Sequence, residues 1–359
     1  MLKVHVELGH GLDADRWAAQ HAVGEVPNSL PFGLEALREH GIALSFRPLA
    51  QGRVAGSLSS RINPRFGDLQ WTQALGLEGT AARRRADLVL GWDEWTGVPA
   101  ALRQAIPGEP PVVSGVMNLT DWPDLSSGVR NTIRRALHRT RAVYVHSSLQ
   151  AEILREEWGL PAEKVNVIPF GVDSNFFANT GDPVDRDLVV TVGDDEHRDY
   201  PSLVAAFGQV RAVRPSARLA IVTARHHVPE APGVSVENVK LGPRRPRFYS
   251  GAAVVAVATK PNIHGSGLSI VTETMACGRP WVVTESPGFA DHFADGDGGR
   301  IVPSGDTGAL AEAISGLLAD PAAADELGRR GRQIVEQRMN STVQGAALAK
   351  VLLRAAETG

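Results

Sequence analysis

Short apolar segments alternate with longer segments of helical pattern along the whole chain, and this alternation limits the possible folds more than any other feature. In the first half, the segments predicted as strands are residues 4–8, 42–46, 87–91, 111–116, 142–146 and 164–169. The predicted helices are residues 29–39, 127–139 and 148–158. Apolar strands that alternate with helices are typical of a parallel sheet covered on both faces, so the chain is predicted to be an α/β protein.

The same alternation begins again after Phe170, which indicates a second unit of the same kind. Residues 171–187 are rich in Gly, Asp, Asn and Pro, a composition that favours a linker. The predicted strands of the second half are residues 188–192, 218–222, 234–236, 254–258 and 280–284. Its predicted helices are residues 200–213, 269–276, 308–318 and 322–337.

We therefore predict two Rossmann-like domains whose parallel sheets face each other across a cleft. The predicted division is an N-terminal domain (1–172), a linker (173–186), a C-terminal domain (187–340) and a last helix (341–359) that packs back on the N-terminal domain. A chain of 359 residues has room for two domains of roughly 150 residues each. Ligands of such sheets bind at the carboxyl ends of the strands, so the cleft is the expected site.

Composition and charge exclude several classes of protein. A formal net charge of −3 gives no overall attraction to nucleic acid. The single cysteine, Cys277, cannot form an internal disulfide, which fits a reducing cytoplasm. The N-terminus lacks a signal-peptide pattern, and no apolar run approaches the roughly 20 residues that span a bilayer. We predict a cytoplasmic protein with at most peripheral membrane contact, and we interpret arginine clusters such as 83–85 and 244–247 mainly as solvated surface.

Residues 260–280 have the clearest chemical pattern: a strand end, a polar loop with glycines, and a helix that begins near Leu268. This order directs unpaired backbone N–H groups and the positive end of the helix dipole toward a ligand, which suits a phosphate. Gly265 and Gly267 leave room for an anion to touch the main chain. Glu273, about one turn into the helix, is placed to accept hydrogen bonds from ribose hydroxyls. The alternative is a surface carboxylate stabilised by the helix dipole.

The residues from Gly267 to Val283 resemble the nucleotide-sugar signature of family 4 glycosyltransferases, E-G-x-G-L-x-x-x-E-A-M-A-x-G-x-P-V-V. Three other stretches resemble motifs of that family in matching order: residues 167–173 (V-I-P-F-G-V-D), 286–291 (S-P-G-F-A-D) and 298–306 (G-G-R-I-V-P-S-G-D). The resemblance implies a GT-B fold and transfer of a sugar from a nucleoside diphosphate to an acceptor hydroxyl, with retention of the anomeric configuration. It also implies that no cofactor and no metal ion is required.

The charged part of the family pattern is different in this chain. The first Glu of the family's pair is absent, and His264 stands near its position in a loop that is one residue longer. Where the family has G-R-x-x-x-x-K-G, residues 193–200 read G-D-D-E-H-R-D-Y, so Asp194 replaces the Arg and Arg198 stands one place before the Lys. A departing diphosphate needs cationic or N–H donors, so Arg198 is the expected cation, with Lys260 or His264 as helpers. The alternatives are a His264 held by backbone contacts and an Arg198 paired with neighbouring acids.

Polar and aromatic residues near strand ends of the first half are candidates for the acceptor site. The family often carries a histidine after the strand that corresponds to residues 111–116, where this chain has Met117 and Asn118. Tryptophan faces stack on sugar rings and neighbouring carboxylates bind hydroxyls, which favours Trp92 and Asp93; the alternative is a half-buried tryptophan beside an incidental acid. The first turn, residues 9–11, lacks the dinucleotide pattern G-x-G-x-x-G, and its small residues allow a substrate to approach the backbone. The acceptor candidates are Gly9, His10, Trp92, Asp93 and Asn118.

The resemblance and the residues together predict a glycosyltransferase that acts on a nucleotide-sugar donor and an unidentified hydroxyl acceptor (a glycan, a lipid-linked sugar or a small natural product). The predicted catalytic residues are Arg198, His264 and Glu273. The predicted donor-binding residues are Gly193, Lys260, Asn262, Gly265, Ser266, Gly267, Leu268 and Gly288. The alternatives are another GT-B activity, such as a nucleotide-sugar epimerase or a phosphorylase, and a catalytically silent binding protein.

Overall fold

A computed structural model describes residues 1–9, 11–47, 69, 80–122 and 125–357 of the chain. Internal contacts divide the chain into two compact units. Unit 1 comprises Met1–Val23, Asn28–Pro169 and Gln344–Gly359, and unit 2 comprises Gly24–Pro27 and Phe170–Val343. Within the described ranges, no helix is both long and apolar enough to cross a membrane.

Unit 1 contains a six-stranded parallel sheet with the order β2-β1-β3-β4-β5-β6. Its strands are β1 (Leu2–Glu7), β2 (Ile42–Phe46), β3 (Leu88–Gly91), β4 (Val112–Gly115), β5 (Ala142–Val145) and β6 (Val165–Val167). Its helices are α1 (Ala14–Ala22), α2 (Ala36–Glu39), α3 (Thr80–Arg84), α4 (Glu94–Arg103), α5 (Ser127–Arg139) and α6 (Ser148–Glu156). Strands β3, β4 and β5 are buried along their whole length, as expected for central strands with helices on both faces.

Unit 2 contains a second six-stranded parallel sheet with the order β12-β11-β10-β7-β8-β9. Its strands are β7 (Asp185–Val192), β8 (Arg218–Val222), β9 (Val234–Glu237), β10 (Ala252–Val257), β11 (Trp281–Thr284) and β12 (Gly299–Val302). Its helices are α7 (Tyr200–Val213), α8 (Arg245–Ser250), α9 (Leu268–Ala276), α10 (Thr307–Ala319) and α11 (Pro321–Arg338). Read from the other edge, this order is the doubly wound Rossmann order, which reverses direction between β7 and β10.

The last helix, α12 (Ser341–Glu357), contributes to the hydrophobic core of unit 1. Its residues Leu348, Val351 and Leu352 are buried in the same cluster as Val4 and Leu90, which lie on β1 and β3. The C-terminal end of the chain therefore completes the core that its first strand begins.

The structure confirms the α/β class and all eleven predicted strands, with ends that move by a few residues. Strand β12 was not predicted, although residues 298–306 were noted for their motif. Helices α1, α3, α4 and α8 were also missed. In α4, Gly97 and Pro99 interrupt the helical pattern, and α8 is only six residues long.

The predicted helix over residues 29–39 is wrong. Pro31 starts a 3-10 turn, and Phe32 and Gly33 both have positive φ, +60° and +73°, so an α-helix cannot run through them. The helix that follows, α2, is only four residues long. The stacking of the Phe32 ring on Trp92, with 4.3 Å between ring centroids, accompanies this unusual backbone.

Candidate functional site

The loops that follow β7 and β10 meet where the strand order of unit 2 reverses. In open α/β sheets, ligands bind outside the carboxyl ends of the strands at this point. Two backbone hydrogen bonds join the loops: Asp199 N donates to Ala258 O (2.9 Å) and Lys260 N donates to His197 O (2.8 Å). Between these two bonds, Arg198 pairs with Thr259 as an isolated antiparallel bridge. The position of Arg198 is thus fixed by main-chain contacts on both sides.

Arg198 is buried, with 7% of its surface exposed, yet its Nε and Nη1 atoms have no hydrogen-bond partner. Burial lowers the pKa of its guanidinium, because a charge is costly in an environment that water does not reach. Buried cations in native proteins are normally paired or hydrogen-bonded. The unpaired N–H groups of Arg198 are therefore the clearest indication of an anionic ligand in unit 2.

Two glycines make room for this guanidinium. A Cβ atom at Gly193 would lie 2.6 Å from Arg198 Nε, and one at Gly267 would lie 3.0 Å from Arg198 Nη1 and 2.8 Å from Val257 Cγ1. Gly267 also has a φ of +99°, which other residues rarely adopt. Both positions were predicted as donor-binding residues, and the structure brings them together against the predicted catalytic arginine.

The helix α9 begins immediately after Gly267, and no side chain caps its N-terminus. Its first N–H groups and the positive end of its dipole lie at the same sheet edge as Arg198. The loop before it is held by Asn262, whose Oδ1 accepts from Ser266 N (2.7 Å) and whose main-chain oxygen accepts from Ser286 Oγ (2.7 Å). Asn262 and Ser266 thus shape the loop.

The remaining predicted donor-binding residues lie on the same loops or beside them. Gly288 approaches Gly265 so closely that a Cβ at Gly288 would stand 2.4 Å from Gly265 N. Leu268 is buried in the core of unit 2, whereas Lys260 is exposed. A cavity of about 540 Å³ at this edge is lined by Arg198, Lys260 and Arg225, among others. The carboxylates of Asp194, Glu196 and Asp199 also line it, so the cavity carries both cationic and acidic side chains.

Glu273 is buried and already has two partners. Tyr249 Oη donates to its Oε2 (2.9 Å) and Arg245 Nη1 donates to its Oε1 (3.1 Å). Burial raises the pKa of this carboxyl, and the Arg245 charge opposes that shift. Both partners come from the unpredicted helix α8, so the sequence did not indicate them. The proposed contact with ribose hydroxyls would use the lone pairs that these bonds leave free, and it stays a prediction.

His264 lies beside two residues of the β7 loop. Its Nε2 is 3.1 Å from Asp195 Oδ2, and its ring is 5.0 Å from the ring of His197. Burial alone raises the pKa of the Asp195 carboxyl, but hydrogen bonds from His264 and the His197 N–H outweigh it, and the pKa falls well below its usual value. Neither Asp195 nor His197 was selected from the sequence, because only the fold places them next to residue 264.

The acceptor candidates that the structure describes lie in unit 1, at the carboxyl ends of β1, β3 and β4. Trp92 is 6% exposed and packs between Phe32 and Tyr144. Asp93 is buried, and its carboxylate caps the N-terminus of α4 by accepting a hydrogen bond from Thr96 N (3.1 Å). The helix cap explains an acid at this position without a substrate contact. Gly9 accepts from Leu12 N (3.1 Å), and His10 lies outside the described residues.

A buried carboxylate, Glu94, joins the ends of β3 and β4. It accepts hydrogen bonds from Met117 N (2.7 Å) and from Asn118 N (2.8 Å). Burial, followed by the charge of Asp93, raises its pKa to about 7. A carboxyl group that titrates near neutral pH at the carboxyl edge of a sheet is a candidate for a functional role.

Two sequence models of glycosyltransferases match the chain. The model described as "Glycosyltransferase Family 4" matches residues 35–176, and the one described as "Glycosyl transferases group 1" matches residues 186–320, so together they span more than half of the chain. The chain belongs to family 4 of the glycosyltransferases. The family detail predicted above, a histidine in place of the first Glu, stays a prediction.

Curated relatives of this family 4 glycosyltransferase come from mycobacteria. A GDP-mannose-dependent α-(1-6)-phosphatidylinositol monomannoside mannosyltransferase of Mycolicibacterium smegmatis is 28% identical over 223 residues, which are 54% of this chain and 57% of the relative. An α-maltose-1-phosphate synthase of Mycobacterium tuberculosis is 27% identical over 223 residues, 53% of this chain and 57% of the relative. The chain thus matches little more than half the length of either relative.

Solved structures with the same fold cover nearly the whole glycosyltransferase. Sucrose-phosphate synthase from Thermosynechococcus elongatus superimposes with a TM-score of 0.72 at 20% identity and covers 99% of this chain and 100% of that chain. Anabaena HepE in complex with UDP-glucose superimposes with a TM-score of 0.70 at 15% identity and covers 100% and 99%. At these identities the likeness establishes the fold, which is GT-B.

Proposed function

We propose that this glycosyltransferase moves a hexose from a nucleoside diphosphate to an acceptor hydroxyl with retention of the anomeric configuration. The single observation that carries the donor assignment is Arg198, a buried guanidinium with two unpaired N–H-bearing nitrogens beside the uncapped start of α9. A nucleoside diphosphate becomes more negative as the sugar leaves, and fixed donors at that position stabilise the departing charge. Arg198 and the backbone of residues 265–268 are the proposed donors.

The other predicted residues take supporting roles in this proposal. His264 faces the donor sugar, and Glu273 accepts from the ribose. Lys260 lies next to the same loop and adds positive charge. The relatives support hexosyl transfer: one is a GDP-mannose-dependent mannosyltransferase, and HepE was solved with UDP-glucose. The acceptor hydroxyl is proposed to bind near Trp92 and Glu94.

The retaining course rests on the family resemblance. In such a reaction the departing phosphate takes the proton of the acceptor hydroxyl, so no strong protein base is required. Arg198 supplies the positive charge at the leaving group, so a metal ion is not obligatory for the proposed transfer. The proposal also places the protein in the cytoplasm. Its single thiol, Cys277, is buried and free, which fits a reducing compartment.

Turnover of a panel of UDP-, GDP-, dTDP- and ADP-hexoses tests the proposal. Release of nucleoside diphosphate with a simple sugar acceptor is measured first, and NMR of the product then gives the anomeric configuration. We expect Arg198→Met to lower kcat/KM by about 100-fold or more, the usual effect of removing one such donor. Arg329→Met is the matched control, because Arg329 is an exposed arginine whose ion pair is made with Glu326 on the same helix.

Three results would sink the proposal. Donors that are neither bound nor turned over would favour the catalytically silent binding protein. Free epimerised sugar in place of a glycoside would favour an epimerase. Equal losses in the Arg198 and Arg329 variants would remove the role assigned to the buried arginine.

A further inference from the structure

The loops after β7 and β10 bring together one carboxylate and two imidazoles: Asp195, His197 and His264, here called the Asp–His–His cluster. We propose that this cluster binds one divalent transition-metal ion, such as Zn²⁺, next to the site of the donor diphosphate. The existence of the metal site does not depend on the proposed transfer reaction. Its effect on donor binding does rest on that proposed function.

The distances within the cluster suit ligands of a single ion. One potential ligand atom from each of the three residues can be chosen so that all lie within 4.8 Å of one another. His264 Nε2 is 3.1 Å from Asp195 Oδ2, and His197 Nδ1 is 3.3 Å from Asp195 Oδ1. Two ligands that each lie about 2.0–2.1 Å from a tetrahedral Zn²⁺ are roughly 3.3 Å apart. The two distances end on different oxygens of the Asp195 carboxylate, so the side chains would have to rotate to close around one cation.

The ligand atoms are also in a suitable chemical state. His197 Nδ1 is buried and has no hydrogen-bond partner, although it lies close to the Asp195 carboxylate. A buried ring nitrogen without a partner needs an explanation, and a metal ion supplies one.

The charges of the β7 loop also favour a bound cation. Residues 194–199 contain four carboxylates and one arginine. Two of these acids have structural partners: Asp194 accepts from Thr223 Oγ1 and Ala224 N, and Asp199 caps α7. The Asp195 carboxylate accepts from the main-chain N–H of His197 and faces the His264 ring. A loop with this negative charge would repel a diphosphate, and a divalent cation at Asp195 would reverse the local charge beside Arg198.

The ligand set indicates the class of metal. Two imidazoles and one carboxylate suit Zn²⁺, Co²⁺, Fe²⁺ or Mn²⁺ better than Ca²⁺ or Mg²⁺, which prefer oxygen ligands. Three protein ligands leave at least one coordination position open, as in sites where a metal contacts water or substrate. A phosphate oxygen of the donor is a fitting occupant of that position, so the metal and Arg198 would hold the same anion from two sides.

Titration of the chelator-treated full chain with Co²⁺ tests the site, because Co²⁺ with nitrogen ligands absorbs visible light. We expect one bound Co²⁺ per chain, displaced by Zn²⁺, with the stoichiometry checked by calorimetry. His197→Ala, His264→Ala and Asp195→Asn should each weaken binding by about tenfold or more. Thermal unfolding verifies that each variant is folded before it is titrated.

Two controls separate the cluster from other histidines. His40→Ala changes an exposed histidine at the end of α2 and should bind Co²⁺ like the unaltered chain. The double change His226→Ala and His227→Ala removes the adjacent pair of exposed histidines near the cavity of Arg198 and should also leave binding unchanged. Absence of a Co²⁺ signal, equal binding by all variants, or loss only in the double variant would each overturn the site.

A final measurement separates the metal from the transfer reaction. Binding of UDP and GDP is measured with the chelator-treated and the Zn²⁺-loaded chain, and we expect about tenfold tighter binding of the preferred nucleotide when Zn²⁺ is present. Equal nucleotide affinity in both forms would refute the link to the donor and leave the metal site standing. Failure of every nucleotide to bind would count against the proposed function, while the Co²⁺ titration would still decide the metal site.

Discussion

Buried arginines in this enzyme are of two kinds, and their partners distinguish them. Arg83 is 1% exposed and donates to Glu7, Glu109 and the main chain of Ala100. All of its charge is compensated within unit 1, so it is a structural residue. Arg198 is buried to nearly the same extent but has two nitrogens without partners. The first kind stabilises the fold, and the second kind is the one that we propose to bind the donor diphosphate.

The arginine cluster 83–85 shows why this distinction cannot be made from sequence. We interpreted the cluster mainly as solvated surface, which is wrong for Arg83. Its partner Glu7 ends β1 and its partner Glu109 follows α4, and nothing in the local pattern links these positions. Arg245, from the cluster 244–247, likewise pairs with the distant Glu273. Charge runs indicate exposure only on average, because ion pairs are made between segments far apart in the chain.

The buried carboxyl of Glu94 should make stability depend on pH. Its pKa is raised from 4.5 to about 7, so between these values the folded chain keeps a proton that the unfolded chain releases. The free energy of unfolding should therefore fall as pH rises through this range, by about 3 kcal/mol in total. Glu94→Gln cannot titrate, and its stability relative to the unaltered chain should increase over the same range.

Urea unfolding at pH values from 4.5 to 8 measures this effect for both proteins. Glu39→Gln, which removes an exposed carboxylate at the end of α2, is the control for a simple change of charge. Parallel pH profiles of the Glu94 variant and the unaltered chain would contradict the raised pKa.

At the scale of single elements, local pattern predicted the central parts of the fold well. Strands such as β3 and β10 are continuous apolar runs, because helices cover both of their faces. Helices α5 and α7 agree with their predicted limits. The failures occurred where backbone geometry depends on distant contacts. Phe32 adopts a positive φ within a stretch of helical pattern, and its ring stacks on Trp92, which is sixty residues away in sequence.

The two ends of α9 offer a test with a pair of glycines that both have positive φ but have different surroundings. Gly267 precedes α9 with a φ of +99°, and Gly278 follows it with a φ of +66°. A Cβ at Gly267 would stand 2.8 Å from Val257 Cγ1 and 3.0 Å from Arg198 Nη1, whereas one at Gly278 would have nothing within 4 Å. Alanine at either position should cost about 1–2 kcal/mol for the left-handed backbone.

Gly267→Ala should add a steric cost and displace the Arg198 guanidinium. We therefore expect it to be the less stable of the two variants in urea unfolding and to bind nucleoside diphosphate at least about tenfold more weakly. Gly278→Ala should keep the affinity of the unaltered chain. If both variants bind equally well, the close fit of Gly267 around Arg198 has no role in donor binding.

At the scale of the whole molecule, the sequence did not show which distant segments the fold brings together. The glycine-rich loop before α9 and the arginine at position 198 could be selected, because a family pattern and the need for a cation pointed to them. The Asp–His–His cluster could not be selected, since His264 is far along the chain from Asp195 and His197. The two loops meet only because β7 and β10 are neighbours in the sheet.

The packing of α12 in unit 1 likewise joins the two ends of the chain, and a pair of adjacent leucines tests its contribution. Leu352 is fully buried in the cluster that contains Val4 and Leu90, whereas its neighbour Leu353 is 38% exposed. Leu352→Ala should lower the free energy of unfolding by about 2–5 kcal/mol, because it removes buried methyl groups and leaves a cavity. Leu353→Ala should lower it by less than about 1 kcal/mol.

Hydrogen exchange followed by mass spectrometry should show faster exchange in the peptides of β1 and β3 for the Leu352 variant, because these strands share its core. Equal effects of the two substitutions, or unchanged protection of β1 and β3, would mean that the last helix adds little to the stability of the sheet that it covers.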